Sequence, residues 1–136
     1  MAYMSQEKKA AIAAKLKEVV PKGWKYSLRV RNRSTIIMTI ASAPVDLLAE
    51  AKRVTAKRMA GMEEYLRRDN SNITSFDVNV YHPHFSFDVS LPVIQTIIAT
   101  LNDGNHNRSI IQADYFDVGW YTSLYVGTWE KPFKVA

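Results

Sequence analysis

The chain has 136 residues, no cysteine and a formal net charge of +5, enough length for one ordinary domain with its own core and no means of forming a disulfide or a thiolate-bound metal site. No apolar run reaches the eighteen or so residues that a membrane span needs, and Met1 to Gln6 lacks the basic-then-apolar pattern of an export signal, so a soluble cytoplasmic protein of a single domain, residues 1–136, is expected. The charge is uneven: residues 1–68 hold 15 Lys/Arg against 6 Asp/Glu, whereas residues 69–136 hold 3 against 7. A basic first half favours an acidic partner, protein or nucleic acid, although charged faces also serve solubility alone.

Ser5 stands where a helix N-cap belongs, and Ile12, Leu16 and Val19 follow at helical spacing until Pro21 and Gly23 stop the helix. From Trp24 to Val30 the period changes to two, with Trp24, Tyr26, Leu28 and Val30 on one face and Lys25, Ser27 and Arg29 on the other. Arg31 to Ser34 is turn-like, and Thr35 to Ala41 returns as an antiparallel strand with Ile36, Met38 and Ile40 on one face. This hairpin carries Arg29, Arg31 and Arg33, the densest cationic feature of the chain. Arginine forks at alternate positions suit phosphates or carboxylates, and an exposed strand face is the plainer reading of the same residues.

Ser42-Ala43-Pro44 predicts a helix entry, with Asp46 and Glu50 placed where the helix dipole favours negative charge. The helix is expected to run to about Leu66, with Lys52, Arg53, Lys57 and Arg58 making its middle basic and Gly61 a weak point. Phe76, Val78 and Val80 alternate with Asp77, Asn79 and Tyr81 as a third strand that ends at Pro83. His82, His84 and Asp88 nearby fall short of a four-ligand metal set, so a surface loop is expected there. Ser90-Leu91-Pro92 opens a third helix with Ile94, Ile97, Ile98 and Leu101 buried, and Asn102-Asp103-Gly104 closes it.

The last strand lies between Gly119 and Gly127, with Trp120, Thr122, Leu124 and Val126 on one face and Tyr121, Ser123 and Tyr125 on the other. The expected architecture is an α+β domain: a four-stranded antiparallel sheet with helices packed on one face, in the order α-β-β-α-β-α-β.

Several stretches carry a resemblance: Pro21-Lys22-Gly23-Trp24-Lys25-Tyr26-Ser27-Leu28, Ala43-Pro44-Val45-Asp46, Val78-Asn79-Val80-Tyr81, Asp114-Tyr115-Phe116-Asp117-Val118-Gly119-Trp120-Tyr121 and Gly127-Thr128-Trp129-Glu130-Lys131-Pro132-Phe133. Spread from Pro21 to Phe133, so that the likeness extends over most of the chain, they resemble small proteins of phages, plasmids and prophages related to the large polyvalent-protein-associated domains of mobile elements. Ile110 departs from that pattern, which commonly carries an acidic residue after the serine at the position of Ser109. The resemblance implies an α+β module of a mobile element and no catalytic residues.

Three functions follow as expectations. The first is a non-enzymatic accessory protein that occupies an acidic surface of a host protein or ribonucleoprotein, in the manner of a host-defence or CRISPR inhibitor. Its partner-binding residues would be Arg29, Arg31, Arg33, Lys52, Arg53 and Lys57, with Tyr121, Tyr125 and Trp129 as aromatic anchors. The second is nucleic-acid binding through the same basic hairpin and helix, with aromatics stacking on bases, although no reader motif is present. The third is an enzyme, a small hydrolase or a metal-dependent one, built on Asp114 and Asp117 with His106, although carboxylates at such spacing more often cap turns. No cofactor or metal is expected, and an exposed aromatic sheet face would also suit a homodimer.

Overall fold

The longest strand lies inside the sheet, flanked by strands on both sides, and it sets the frame for everything else. In the computed structural model, which describes residues 3–60, 73–105 and 119–136, the elements are α1 (Gln6–Val19), β1 (Lys25–Arg31), β2 (Thr35–Ala43), α2 (Leu47–Met59), β3 (Phe76–Val78), a 3-10 turn at Pro83–Phe85, α3 (Leu91–Leu101), β4 (Tyr121–Val126) and β5 (Lys134–Val135). The sheet order is β1-β2-β4-β3, and β5 pairs with β2.

The sheet is mixed and five-stranded, which corrects the antiparallel four-stranded arrangement and the simple alternating element order. β1 with β2 and β3 with β4 are antiparallel, but β2 runs parallel to both β4 and β5. The direction of β4 is set by where α3 delivers the chain. The Asn105 side chain accepts a hydrogen bond from the Trp120 backbone N–H and donates to its carbonyl, each at 2.9 Å. The indole Nε1–H of Trp120 donates to the Leu101 carbonyl at 3.1 Å. Asn102 Oδ1 accepts from Asn105 Nδ2 and from the Thr122 hydroxyl. This clasp ties the end of α3 to the start of β4, and the Tyr121 N–H donates to the Ser34 carbonyl beside the β1–β2 turn. The strand therefore sets out from the same end as β2 and runs with it.

The inner face follows from strand alternation. Ile36, Met38 and Ile40 of β2 and Leu124 and Val126 of β4 are fully buried, and they meet Ile12 and Leu16 of α1, Leu47 of α2, and Ile94, Ile97 and Leu101 of α3. Each such side chain contributes about 1.5–3 kcal/mol by leaving water. α1 starts as its cap residue predicts, with Ser5 Oγ accepting from the Lys8 N–H at 3.0 Å. The cap of α2 is Asp46, which accepts from the Ala49 N–H.

The β1–β2 turn is unusual. Ser34 N–H donates to the Arg31 carbonyl at 3.2 Å, and both central residues have positive φ, Asn32 at 54° and Arg33 at 57°. Positive φ at both positions is the hallmark of a type I′ turn, where asparagine is at home and glycine is the usual second residue. Arg33 occupies the glycine position, and its carbonyl is pinned by the Met4 N–H at 2.6 Å. Replacing Arg33 by glycine removes the clash between Cβ and the backbone, so R33G is expected to gain about 1 kcal/mol. Thermal melts of the two proteins check it.

Candidate functional site

Strand register assembles a second, outer face from side chains that are far apart in sequence. Across β1, β2 and β4 run Arg31, Thr35 and Tyr121 in one row and Arg29, Ile37 and Ser123 in the next. Ser27, Thr39, Tyr125 and Asp77 form a third row that reaches β3. With strands about 4.8 Å apart, only some 10 Å separates the backbones of Arg31 and Tyr121. Arg29, Arg31 and Tyr121 are exposed and Tyr125 is half-buried, whereas Ile37 between them is fully buried and lies outside the inner cluster, so the middle of this face is closed to solvent. Arg33 projects from the turn at the same end. None of the three arginines forms an ion pair among the described residues, so their charge is available to a partner.

The other expected contacts lie elsewhere. α2 packs beside β3, at the opposite edge of the sheet from β1: Lys52, Arg58, Phe76 and Asp77 line a shared open cleft of about 290 Å³. Arg53 is engaged within the fold, with its guanidinium bridging both carboxylate oxygens of Asp88 at 2.7 and 2.6 Å. That bidentate hydrogen bond, with help from the Val89 N–H, holds the Asp88 carboxyl down at about 2. Arg58 lies over the Phe85 ring, 4.6 Å from its centroid. Lys57 is exposed in the last turn of α2. Trp129 is 83% exposed on a turn closed by the Thr128 N–H donating to the Lys131 carbonyl. It follows the end of β4, whereas Tyr121 begins it, so Trp129 stands at the far end of the sheet from Arg33. Arg29, Arg31, Arg33, Tyr121 and Tyr125 thus form one surface, and Lys52, Arg53, Lys57 and Trp129 do not join it.

The His82, His84 and Asp88 set does not assemble as a metal site among the described residues. His82 stacks on Phe85 at 5.1 Å and meets His84 edge-on at 5.7 Å, while Asp88 is taken up by Arg53. No group of three or more potential metal ligands occurs among the described residues. His106, Asp114 and Asp117 lie outside the described residues.

Register also brings Asp77, which the sequence did not single out, to the edge of this face. It sits at the β3 end of the row that contains Tyr125, and burial raises its carboxyl above the ordinary value of 3.8. Ionised Asp77 therefore costs stability. D77N is expected to raise the melting temperature at neutral pH, and the gain fades as pH falls and disappears below the ordinary aspartate value, where the carboxyl is neutral in both folded and unfolded chains. Melting curves of both proteins between pH 3 and 8 read this directly.

The chain matches no family model, no curated protein and no solved structure. Among the described residues no helix is long and apolar enough to cross a membrane.

Proposed function

We propose that this protein is a non-catalytic binding module whose outer sheet face holds an acidic surface of a partner protein. One observation carries the reading: register brings Arg29 and Arg31, without ion-pair partners among the described residues, onto the same face as Tyr121 and Tyr125. Unpaired arginines supply steering and bidentate contacts to carboxylates, and tyrosines supply contact area at little entropic cost. The resemblance of its motifs to mobile-element proteins makes a cytoplasmic host protein, alone or within a ribonucleoprotein, the partner to seek, with inhibition by surface occupancy as the mode of action.

The test is capture from nuclease-treated bacterial lysate on immobilised wild-type protein and on the R29E/R31E variant, followed by reconstitution with the purified partner. An acidic protein retained by the wild type, lost by the variant and rebound in pure form supports the proposal. Capture that vanishes with nuclease overturns it in favour of nucleic acid, and an identical set retained by the variant overturns the role of this face.

A further inference from the structure

β1 ends the sheet. It pairs only with β2, and among the described residues no other segment hydrogen-bonds to it, so alternate backbone N–H and C=O groups along its free side have no protein partner there. An edge of this kind is a template for one more strand. Its two sides differ sharply. Lys25, Ser27, Arg29 and Arg31 are exposed toward the outer face, while Tyr26, Leu28 and Val30 are only partly covered as they pack against the core. A strand laid along β1 would therefore place every second side chain beside a row of cations and the others against a half-open apolar border.

We infer that the β1 edge accepts an extended acidic peptide as an added strand, with carboxylates alternating with apolar residues. A second copy of this chain is the wrong occupant. Antiparallel self-pairing that keeps the apolar faces together, centred on Leu28 or on Val30, sets Arg31 opposite Lys25 or Arg29 of the other copy, and like charges directly opposite repel. The cations that reject a second copy select an acidic strand. Main-chain bonding supplies affinity, and the alternate side chains supply specificity. This inference rests on the acidic partner proposed above and specifies how that partner is held.

The probe is an octapeptide of alternating glutamate and valine, acetylated and amidated at its ends, titrated into the full chain with amide chemical shifts and hydrogen exchange as readouts. Expected are shifts confined to β1 and its neighbours, slowed exchange at the β1 amides that face away from β2, and binding at least about tenfold weaker for R29E/R31E, as two reversed cross-strand pairs imply. The block isomer, with all its glutamates first and all its valines after them, should bind at least about tenfold more weakly than the alternating peptide, because only alternation sends the carboxylates to one face of a strand. N-methylation of alternate residues should abolish binding in one phase and spare it in the other. Absence of binding, equal binding of the block isomer, or indifference to the phase of methylation would overturn strand addition. So would a single-stranded oligonucleotide that binds the same edge more tightly than the peptide. If strand addition fails while lysate capture still depends on Arg29 and Arg31, the partner docks through side chains on the face and the proposed function stands.

Discussion

Replacing Gly127 by alanine is expected to lower stability by about 3–5 kcal/mol, a loss of roughly 10–17 °C in melting temperature for a chain of this size. Gly127 has φ of +68°, and a Cβ there would lie 2.4 Å from the Phe133 backbone nitrogen. Two costs combine. The left-handed backbone alone penalises an L-residue by about 1–2 kcal/mol. The clash falls on backbone, so Phe133 must move, which strains its N–H bond to the Thr74 carbonyl and draws a ring only 6% exposed out of the core. Gly23 separates the two costs: its φ is +89°, but a Cβ there would meet only Pro44 at 3.5 Å, an ordinary contact. G23A should therefore lose about 1–2 kcal/mol. Equal losses for the two variants, measured by urea titration, would show that the Phe133 approach is unimportant.

The second large effect is expected at Glu50, where alanine should cost about 3 kcal/mol, the sum of a lost cap and a lost charged acceptor. Glu50 belongs to α2, yet it caps α3. Its carboxylate accepts from the backbone N–H groups of Asp88 and Ser90 at 3.0 and 2.9 Å and from the Ser90 hydroxyl at 2.7 Å. Ser90 is the N-cap of α3 but makes no capping bond with its own side chain. Losing a cap costs about 1 kcal/mol, and leaving a nearly buried serine without its charged acceptor adds about 2. E50Q keeps an acceptor oxygen and should lose about half as much. Arg53 provides the contrast, since its bridge to Asp88 joins two solvent-exposed side chains, where ion pairs add little. R53A should melt near the wild type at neutral pH, and urea titration of all three variants gives the ranking.

Glu50 also shows where reading the sequence stops. Its place in the first turns of α2 suggests an interaction with its own helix dipole, and nothing local reveals that a loop 38 residues further on will present N–H groups to it. Arg53 reads as part of a basic surface for the same reason. What is legible is whatever a short window decides: the Ser5 cap, the stop before Pro21, and the alternation that sends Ile36, Met38, Leu124 and Val126 inward and Arg29, Arg31, Tyr121 and Tyr125 outward. Alternation fixes the face of a strand and is silent about its direction. The parallel course of β4 depends on the Asn102–Asn105–Trp120 clasp, a tertiary fact. The site divides likewise: Arg29, Arg31, Arg33, Tyr121 and Tyr125 share a face because register unites them, and Lys52, Arg53, Lys57 and Trp129 are placed elsewhere by helix packing and by the turn after Gly127.

The parallel pairing of β2 with β4 also bears on how the protein reaches its fold. Thr35 and Tyr121 are neighbours in the sheet but lie most of the chain apart, and such non-local pairing slows folding because a long loop must close first. While the chain is being synthesised, Ile36-Ile37-Met38-Thr39-Ile40 emerges long before the strand that will cover its far side. That segment has high strand propensity, no charge and no proline, the composition of an aggregation-prone window. Arg29, Arg31 and Arg33 immediately precede it. The cations that furnish the outer face would therefore guard the nascent hairpin by repulsion between neighbouring chains until β4 arrives.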